Sequence, residues 1–274
     1  MGKVDKQQII KRLALAESIA RAARLLTLPA YKMGVRPRNK SQGGTYDPVT
    51  QVDIDTEILL RGLIMDAVPN DGIEGEEHAE KLGSNDWLWT LDPIDGTRAF
   101  VAGVPVWSTL IAVSYQGRPL IGIIDLPALD ETYVGAYGKA WKQTVSGRAA
   151  IKTSACRSLN DAILSCTAPL SMFTPSQFQA YRDINEQVRF SRLGLDAYGY
   201  ALVASGRIDI VLEADIKPYD IRAIIPIVEG AGGCIQTWDE HPANDGGSII
   251  CTANEMLLNT VVTRLGNITT NDDK

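Results

Sequence analysis

The sequence predicts a mixed α/β fold, and three observations support that prediction. Apolar residues recur at helical spacing near the start of the chain, closely spaced strand-like runs follow, and strands then alternate with helices. Short turns between successive strands are typical of an antiparallel sheet, whereas strand–helix alternation is typical of an α/β unit. We therefore expect two subdomains that differ in construction.

The first subdomain is expected to span residues 1–147 and to contain an antiparallel sheet. Apolar periodicity predicts a helix over residues 6–28, and Thr50 is placed to cap a second helix that runs to about residue 68. The stretch 29–48, rich in Gly, Asn, Lys and Ser, is expected to be a loop. Strands are predicted at residues 87–91, 108–115, 120–126 and 132–137.

The second subdomain is expected to span residues 148–266 and to complete the functional site. Proline should kink the helix that follows Asp220, because Pro226 falls inside its apolar stripe. Residues 267–274 are polar and are expected to form a disordered tail. Strands are predicted at 162–166, 188–193, 208–212, 234–237 and 248–252, and helices from 175, at 196–205, after 220 and at 254–265.

Composition excludes several classes of protein. The 274 residues are 45% hydrophobic and 22% charged, as in a soluble protein with a core, and the net charge of −6 disfavours nucleic acid or an anionic membrane as partner. The four cysteines lack zinc-site or disulfide-framework spacing, and no signal-type or membrane-spanning segment is present. We expect a cytoplasmic protein. The basic residues of the first helix leave membrane-surface binding open as an alternative to packing.

The segment from Leu91 to Thr97, with the sequence LDPIDGT, is the most informative of the chain. An alternating apolar run ends here at two carboxylates, Asp92 and Asp95, with a proline between them. Hard oxygen ligands gathered at the end of a strand suit Mg²⁺, and the glycine that follows allows close approach to an anion. The alternative interpretation is a turn with solvated aspartates.

Three other acidic segments each allow a structural and a functional interpretation. Glu76, in Gly-Glu-Glu at 75–77, lies in a solvated loop or binds a metal. Asp53 lies in the first turn of the second helix, where capping alone explains a carboxylate. Asp220 could likewise be only a helix cap.

Together these segments resemble the inositol monophosphatase superfamily of metal-dependent, lithium-sensitive sugar-phosphate phosphatases. The resemblance covers roughly residues 39–265 and rests on four linked motifs. They are D-x-V-T-x-x-D at 47–53, G-E-E at 75–77, D-P-I-D-G-T at 92–97, and Asp220 followed by A-G-G at 231–233. The resemblance implies an αβαβα layered sandwich, a site between the two subdomains and a homodimer.

The resemblance also implies the metal ligands. Glu76, Asp92 and the carbonyl of Ile94 would hold one Mg²⁺. Asp92, Asp95 and Asp220 would hold a second ion, and a weaker third ion could bind near Glu76 through water. Two metal ions can clamp the attacking and leaving oxygens of a phosphate ester in line.

The remaining catalytic assignments follow from the same resemblance. Glu76 and Thr97 would position and deprotonate the attacking water, with Asp53 supporting Thr97. The backbone N–H groups of Gly96 and Thr97 would hold phosphate oxygens. His78, two residues after Glu76, is expected near the site or at the surface rather than in catalysis.

Within the superfamily, the sequence is most similar to histidinol-phosphate phosphatases. The segments 96–105 and 122–127 and the combination of Glu213 with 217–220 support this finer match, whereas Arg98 and Tyr219 depart from the pattern of inositol phosphatases. Histidinol phosphate carries an ammonium and an imidazole, so carboxylates should face them. We expect Asp196 and Glu213 to read that end of the substrate, beside Asp220. Helix capping is the alternative role of Asp196.

The sequence therefore predicts a Mg²⁺-dependent phosphomonoester hydrolase acting on L-histidinol phosphate in histidine biosynthesis. Inositol 1-phosphate or another small sugar phosphate is the alternative substrate. A regulatory metal-binding homologue that contacts another protein is the non-enzyme alternative. Trp107 and Trp141 could supply a dimer interface or belong to the core.

Overall fold

Two β-sheets organise the protein, as seen in a computed structural model that describes residues 4–39 and 48–269. Before the first sheet come helix α1 and helix α2, separated by the two-stranded pair β1–β2. Their bounds are Lys6–Met33 for α1, Arg38–Asn39 for β1, Pro48–Val49 for β2 and Gln51–Ala67 for α2. Asp47, the first residue of the 47–53 motif, lies outside the described residues, as do residues 40–46 of the predicted 29–48 loop.

Helix α1 continues past Pro29 to Met33, so the expected loop start at residue 29 was wrong. Tertiary contacts hold this last turn in place. Tyr31 packs against Phe100 and Trp107, with ring centroids 5.7 and 5.4 Å away, and its hydroxyl donates to the carbonyl of Gly103. Because these partners lie far along the chain, local sequence signals could not reveal the extension.

The first sheet has seven strands in chain order, and only its first pair is parallel. The four predicted strands are confirmed, and three short strands at the two edges were missed. Neither the four residues of β3 nor the fully exposed β9 alternates in hydrophobicity, so no strand signal marks them. The strands are β3 Gly72–Gly75, β4 Trp87–Asp95, β5 Ser108–Tyr115, β6 Arg118–Leu126, β7 Glu131–Ala136, β8 Lys139–Thr144 and β9 Gly147–Ala150, with α3 at Thr97–Ala102.

The second sheet has five strands in the order β11-β10-β12-β14-β13. Strand β10 runs parallel to both of its neighbours, and β14 runs antiparallel to both of its own. The strands are β10 Ile163–Cys166, β11 Phe190–Leu193, β12 Ile210–Ile216, β13 Cys234–Thr237 and β14 Gly247–Thr252. The helices of this half are α4 Pro169–Met172, α5 Pro175–Asn185, α6 Ala197–Ala204, α7 Pro218–Ile221, α8 Ile224–Gly230 and α9 Glu255–Thr269.

Helices and sheets alternate in five layers, which confirms the expected αβαβα sandwich. Helices α1 and α2 cover the outer face of the first sheet, and α5 and α9 cover the outer face of the second. Helices α6 and α8 lie between the sheets, in a core to which both sheets contribute. In the described part of the chain, no helix is both long and apolar enough to cross a membrane.

The helix predicted after Asp220 is two helices, α7 and α8, which meet at Arg222 and Ala223. Pro226 lies in the first turn of α8, where backbone N–H groups have no intrahelical acceptor, so it does not kink a longer helix as predicted. Gly122 and Gly135 let α8 lie directly on the first sheet. A Cβ there would be 1.9 Å from the Ala223 carbonyl oxygen and 2.3 Å from the Pro226 carbonyl carbon, respectively.

The predicted C-terminal tail and the two tryptophans, Trp107 and Trp141, can also be compared with the structure. Helix α9 continues to Thr269, so the predicted tail does not begin at residue 267, and residues 270–274 lie outside the described residues. Trp107 is fully buried, which assigns it to the core of the monomer. Trp141 is half-buried against the core between α1, α2 and the first sheet. The guanidinium of Arg148 lies over its ring, 4.8 Å from the centroid.

Candidate metal and phosphate site

The parallel pair β3–β4 brings the first two predicted metal ligands together. Gly75 pairs with Leu91 in this ladder, so Glu76 and Asp92 follow side by side at the carboxyl ends of their strands. The backbone N–H of Glu76 still donates to the carbonyl of Leu91, at 3.2 Å. Ligand sites of open sheets lie at such strand ends.

An irregular end of β4 then brings Asp95 back towards Asp92. The pairing with β5 shifts register between these residues, and the N–H of Ile94 donates to Oδ1 of Asp92 at 3.0 Å. Gly96 has φ of +75°, a left-handed conformation that glycine adopts without strain. The Thr97 hydroxyl donates to the Ile94 carbonyl at 3.0 Å, which closes the bend and starts α3.

Helix α7 carries Asp220, the predicted ligand that comes from the second half of the chain. Oδ2 of Asp220 accepts the backbone N–H of Lys217 at 2.8 Å, which fixes the carboxylate at the start of the helix. One carboxylate oxygen from each of Asp92, Asp95 and Asp220 lies within 4.8 Å of the other two. Three hard oxygen donors at this spacing fit a divalent cation such as Mg²⁺.

The electrostatics of this cluster also fit a cation. Burial raises the pKa of Asp92 well above its usual range, and the charges of Glu76, Asp95 and Asp220 raise it further. Burial and neighbouring acids likewise raise the pKa of Asp95 and bring the pKa of Asp220 to about 7. Because like charges cannot all ionise in one buried place, a bound cation would relieve their repulsion.

Asp53 caps its own helix, as the structural interpretation had it. Its Oδ2 accepts the N–H of Thr50 at 2.9 Å and the Thr50 hydroxyl at 2.5 Å. The Thr97 hydroxyl donates to Ile94 instead, so the predicted support of Thr97 is not a direct hydrogen bond to Asp53. Oδ1 of Asp53 is buried without a hydrogen-bond partner among the described residues, and its charge contributes to the raised pKa of Asp92.

A buried pair on α2 supports the loop that carries Glu76. Oε2 of Glu57 accepts the N–H of Glu77 at 2.8 Å, and Oε1 accepts Nε of Arg61 at 2.6 Å. Arg61 also donates to the carbonyl of His78 at 3.1 Å, and His78 itself faces Glu57, with Nδ1 3.3 Å from Oε1. The sequence prediction missed this pair, although Glu57 and Arg61 stand at the i, i+4 spacing of facing helical residues.

A cavity of about 260 Å³ adjoins the carboxylate cluster. It contains every residue predicted to bind the substrate: Gly96, Thr97, Asp196, Glu213 and Asp220. Asp95 lines it as well, so the metal ligands and the predicted specificity residues share one space.

Glu213 is fully buried on the far wall of this cavity and is held by three donors. Its Oε1 accepts the N–H and the hydroxyl of Thr167, at 3.1 and 2.5 Å, and its Oε2 accepts the hydroxyl of Tyr200 at 3.0 Å. Burial nevertheless raises the pKa of Glu213 to about 7. Thr167 and Tyr200 were missed, although Thr167 follows β10, the parallel neighbour of β12, at the strand end where ligand sites form.

Asp196 occupies the cap position of α6, but its side chain makes no capping hydrogen bond. The N–H of Ala197 donates instead to Oδ2 of Asp95, at 2.9 Å. Asp196 has φ of +48°, uncommon for a residue other than glycine, and its backbone N–H donates to the Thr167 hydroxyl at 3.2 Å. Burial raises the pKa of its carboxyl to about 6, opposed by the positive charge of Arg98. The alternative prediction, that the side chain of Asp196 caps α6, is therefore wrong.

Comparison with known proteins identifies the family. A sequence model of the inositol monophosphatase family matches residues 9–269. The chain belongs to this family. This confirms the resemblance drawn from the four motifs, and enzymes of the family are metal-dependent, in agreement with the carboxylate cluster.

The relatives carry different names. The chain is 33% identical over 262 residues to a histidinol-phosphatase of Chlorobaculum parvum, covering 93% of this chain and 96% of that protein. It is 42% identical over 193 residues to the chloroplastic bifunctional phosphatase IMPL2 of Arabidopsis thaliana, covering 70% of this chain but only 55% of that longer protein. A solved inositol monophosphatase from Zymomonas mobilis superposes with a TM-score of 0.80 at 32% identity, covering 96% of this chain and 100% of the other.

Proposed function

We propose that this protein is a Mg²⁺-dependent phosphomonoester hydrolase whose substrate is L-histidinol phosphate. One observation carries the choice of substrate: the buried carboxylates of Asp196 and Glu213 share a cavity with the metal-binding cluster. A phosphate placed at the cluster leaves the rest of the ester facing two acids. Complementary charge on the substrate, an ammonium or a protonated imidazole, fits that wall.

The family pattern distributes the metal ligands over the two halves of the chain. Glu76, Asp92 and the Ile94 carbonyl would hold one Mg²⁺, and Asp92, Asp95 and Asp220 a second, with a weaker third near Glu76 through water. Bound Mg²⁺ supplies charge stabilisation and lowers the pKa of a coordinated water. The Ile94 carbonyl has two lone pairs, so it can serve a metal while still accepting from Thr97.

The protein groups around the phosphate have separate tasks in this proposal. The Glu76 carboxylate accepts a proton from the attacking water, and the Thr97 hydroxyl orients that water. The N–H groups of Gly96 and Thr97 donate to phosphate oxygens, at a bend that the left-handed Gly96 makes possible. Asp53 acts at a distance, through its charge and through the position of α2.

Recognition of the cationic end relies on a rigid wall. Glu213 has three donors on its two oxygens, so its carboxyl group is held in one position. Thr167 links it to the backbone of Asp196, whose carboxylate packs against Gly96. A neutral polyol such as inositol would bring no positive charge to these two acids, which is why we favour the amine.

Phosphate release from a panel of esters, with Mg²⁺ or with EDTA, tests both parts of the proposal. The panel contains histidinol phosphate, inositol 1-phosphate and fructose 1,6-bisphosphate. We expect Mg²⁺-dependent hydrolysis with the highest kcat/KM for histidinol phosphate. Turnover of inositol 1-phosphate in preference would reverse the substrate assignment.

The variant D196N isolates the charge of the wall. Losing one partner of a buried charge pair costs about 2 kcal/mol or more, so kcat/KM for histidinol phosphate should fall at least about tenfold, with inositol 1-phosphate little affected. The matched control is D209N. Asp209 is also a buried carboxylate of the second sheet, but it accepts from Ile163 and Ser154, away from the cavity. Unchanged kinetics of D196N on histidinol phosphate would contradict the assignment.

A regulatory role is the second candidate, because one relative bears a regulatory name. The chain is 31% identical over 203 residues to the Nus factor SuhB of Haemophilus influenzae, covering 73% of this chain and 75% of that protein. No metal-dependent turnover on any ester of the panel would favour this role. A homodimer and a cytoplasmic location stay predictions from the sequence.

A further inference from the structure

We propose that Arg222 is a positioning residue that sets the geometry of the metal site by joining the three segments that carry its ligands. The inference rests on the proposed metal-dependent function. It concerns a side chain outside the carboxylate cluster and outside the cavity.

Arg222 lies at the joint between α7 and α8, and its guanidinium reaches across to the first sheet. One nitrogen, Nη1, forms an ion pair with Oε2 of Glu74 on β3 and donates to the Thr90 hydroxyl on β4 at 3.2 Å. Nε donates to the carbonyl of Asn244 at 2.9 Å. The side chain of Arg222 is 14% exposed, so these interactions are shielded from bulk water.

Each of the three linked segments carries a metal ligand two residues away. Glu74 precedes Glu76, Thr90 precedes Asp92, and Arg222 follows Asp220. Residues i and i+2 of a strand lie on the same face, and Glu74 and Thr90 are direct cross-strand partners. The guanidinium therefore fixes the strand pair that presents Glu76 and Asp92 relative to the helix that presents Asp220.

The chemistry of arginine suits this task better than a generic ion pair. Its donors stand in a planar fork of fixed geometry, so two partners bound at once also fix their separation. The carboxylates of Asp92, Asp95 and Asp220 repel one another without a cation, and that repulsion pushes the two halves of the site apart. A cation–carboxylate link behind the site opposes the push, so the ligands stay close enough for Mg²⁺ to bind.

Titration of the metal-free protein with MgCl₂, followed by calorimetry, tests this role without any ester. Loss of a direct hydrogen-bond partner of a metal ligand costs about 10- to 100-fold in metal affinity. Arg222 contacts the neighbours of the proposed ligands, so we expect R222M, which keeps most of the apolar stem, to weaken Mg²⁺ binding by about 10-fold, the lower end of that range. E74Q should do the same more mildly. The double variant E74R/R222E restores opposite charges and should recover part of the affinity.

The matched control is R12M. Arg12 forms a more deeply buried pair with Asp71, just before β3, but on the side of the sheet remote from the site. A merely structural arginine lowers the unfolding temperature equally in EDTA and in Mg²⁺. We expect that behaviour from R12M. In R222M, by contrast, we expect the increase in unfolding temperature that Mg²⁺ causes to be lost. If R222M does not fold, R222K, which keeps the charge but not the fork, takes its place with an intermediate loss.

An unchanged Kd for Mg²⁺ in R222M or R222K would overturn the role of Arg222 and leave the proposed hydrolase intact if esters are still hydrolysed. Weakened Mg²⁺ binding without hydrolysis of any ester would support Arg222 and remove the hydrolase. No uptake of Mg²⁺ by the unaltered protein would overturn both.

Discussion

Two groups of carboxylates lie at the cavity, the cluster of Asp92, Asp95 and Asp220 (the metal wall) and the pair of Asp196 and Glu213 (the opposite wall), and their neighbours differ. On the metal wall, every neighbouring charge that acts on Asp92 is negative, and each of them raises its pKa. On the opposite wall, burial also raises the pKa of Glu213 to about 7 and that of Asp196 to about 6, but three hydrogen bonds oppose the shift of Glu213 and the charge of Arg98 opposes that of Asp196. A carboxylate cluster that repels itself is suited to bind cations from outside, whereas a carboxylate held by internal donors is suited to orient a ligand.

The origin of this difference is the place of each group in the fold. Asp92 and Glu76 stand at the ends of neighbouring parallel strands, and Asp220 approaches from another layer, so backbone geometry brings acids together. Glu213 belongs to the interior of β12, where the threonine that follows β10 and a tyrosine from α6 reach both of its oxygens. The predictions below change one wall at a time, from the largest expected effect to the smallest.

The substitution D92N should nearly abolish the reaction and stabilise the metal-free protein. Metal-assisted charge stabilisation is worth several kcal/mol, so we expect kcat/KM with Mg²⁺ to fall by about 10³-fold. In EDTA the unfolding temperature should rise, because the amide removes a repelled buried charge. Phosphate release and thermal unfolding measure the two effects. A D92N enzyme with substantial Mg²⁺-dependent turnover would refute the role of the metal wall.

The substitution G75A should damage the same wall through packing alone. A Cβ at Gly75 would lie 2.2 Å from Oε1 of Glu57, so the loop that carries Glu76 must move. Such overpacking costs about 1–3 kcal/mol of stability, and we expect weaker Mg²⁺ binding in the same variant. In the control G62A, on α2, the added Cβ meets nothing within 4 Å. That variant should be stabilised by about 1 kcal/mol with unchanged metal binding.

The substitution E213Q should affect substrate binding more than turnover, because it removes a charge on the wall remote from the reacting phosphate. We expect KM for histidinol phosphate to rise about tenfold, equivalent to about 1.4 kcal/mol, with kcat within a factor of a few. Tyr200 can accept from the new amide, so the fold should be retained. Steady-state kinetics on histidinol phosphate and inositol 1-phosphate separate the two parameters. A fall of kcat on both esters would place Glu213 in the chemistry instead.

The pH dependence of stability in the absence of metal should reveal the raised pKa of Asp220. Asp220 has a pKa of about 7 in the folded protein and about 3.9 in the unfolded chain, so the folded state retains its proton longer. Its favourable contribution is complete below about pH 4 and is lost as the pH rises to about 7. In EDTA, the unfolding temperature of the unaltered protein relative to D220N should therefore fall over that range. A constant difference between the two proteins would contradict the raised pKa.

The substitution R182A should have the smallest effect on stability and serves as a surface control for the other variants. Arg182 and Glu186 form an i, i+4 pair on α5, with side chains 52% and 68% exposed and atoms 3.6 Å apart. Exposed pairs of this kind contribute about 0.3–0.5 kcal/mol, so stability should change little and metal binding not at all. Chemical denaturation checks the first expectation. A clear change in Mg²⁺ affinity would show that surface charge reaches the site.

Much of the site could be read from the sequence because it is built from local motifs. The segment 92–97 contains two of the proposed metal ligands, the proline between them and the glycine of the bend, so one stretch contributes most of the proposed metal wall. Strand β5, which contains a clear apolar run, has the predicted bounds for the same reason. The proposed ligands Glu76 and Asp220 could also be found in the sequence, because Glu76 follows a recognisable turn and Asp220 stands at a recognisable helix start.

Residues that act through distant contacts could not be read in this way. Nothing near Arg222 in the sequence indicates Glu74, and nothing near Glu57 indicates the loop at Gly75. The break between α7 and α8 and the extension of α1 past Pro29 depend on packing against other layers. Asp53 illustrates the limit from the other side: the resemblance implied that it supports Thr97, whereas in the structure its Oδ2 accepts the N–H and the hydroxyl of Thr50.

The sequence by itself determined the chemistry of this protein, because carboxylates at strand ends and helix starts have the same ligand character in any fold that gathers them. Only the tertiary structure decided which of those carboxylates repel one another and which are held by donors. Burial and the approach of a second layer fix the energy of a charge, and both depend on residues far apart in the chain.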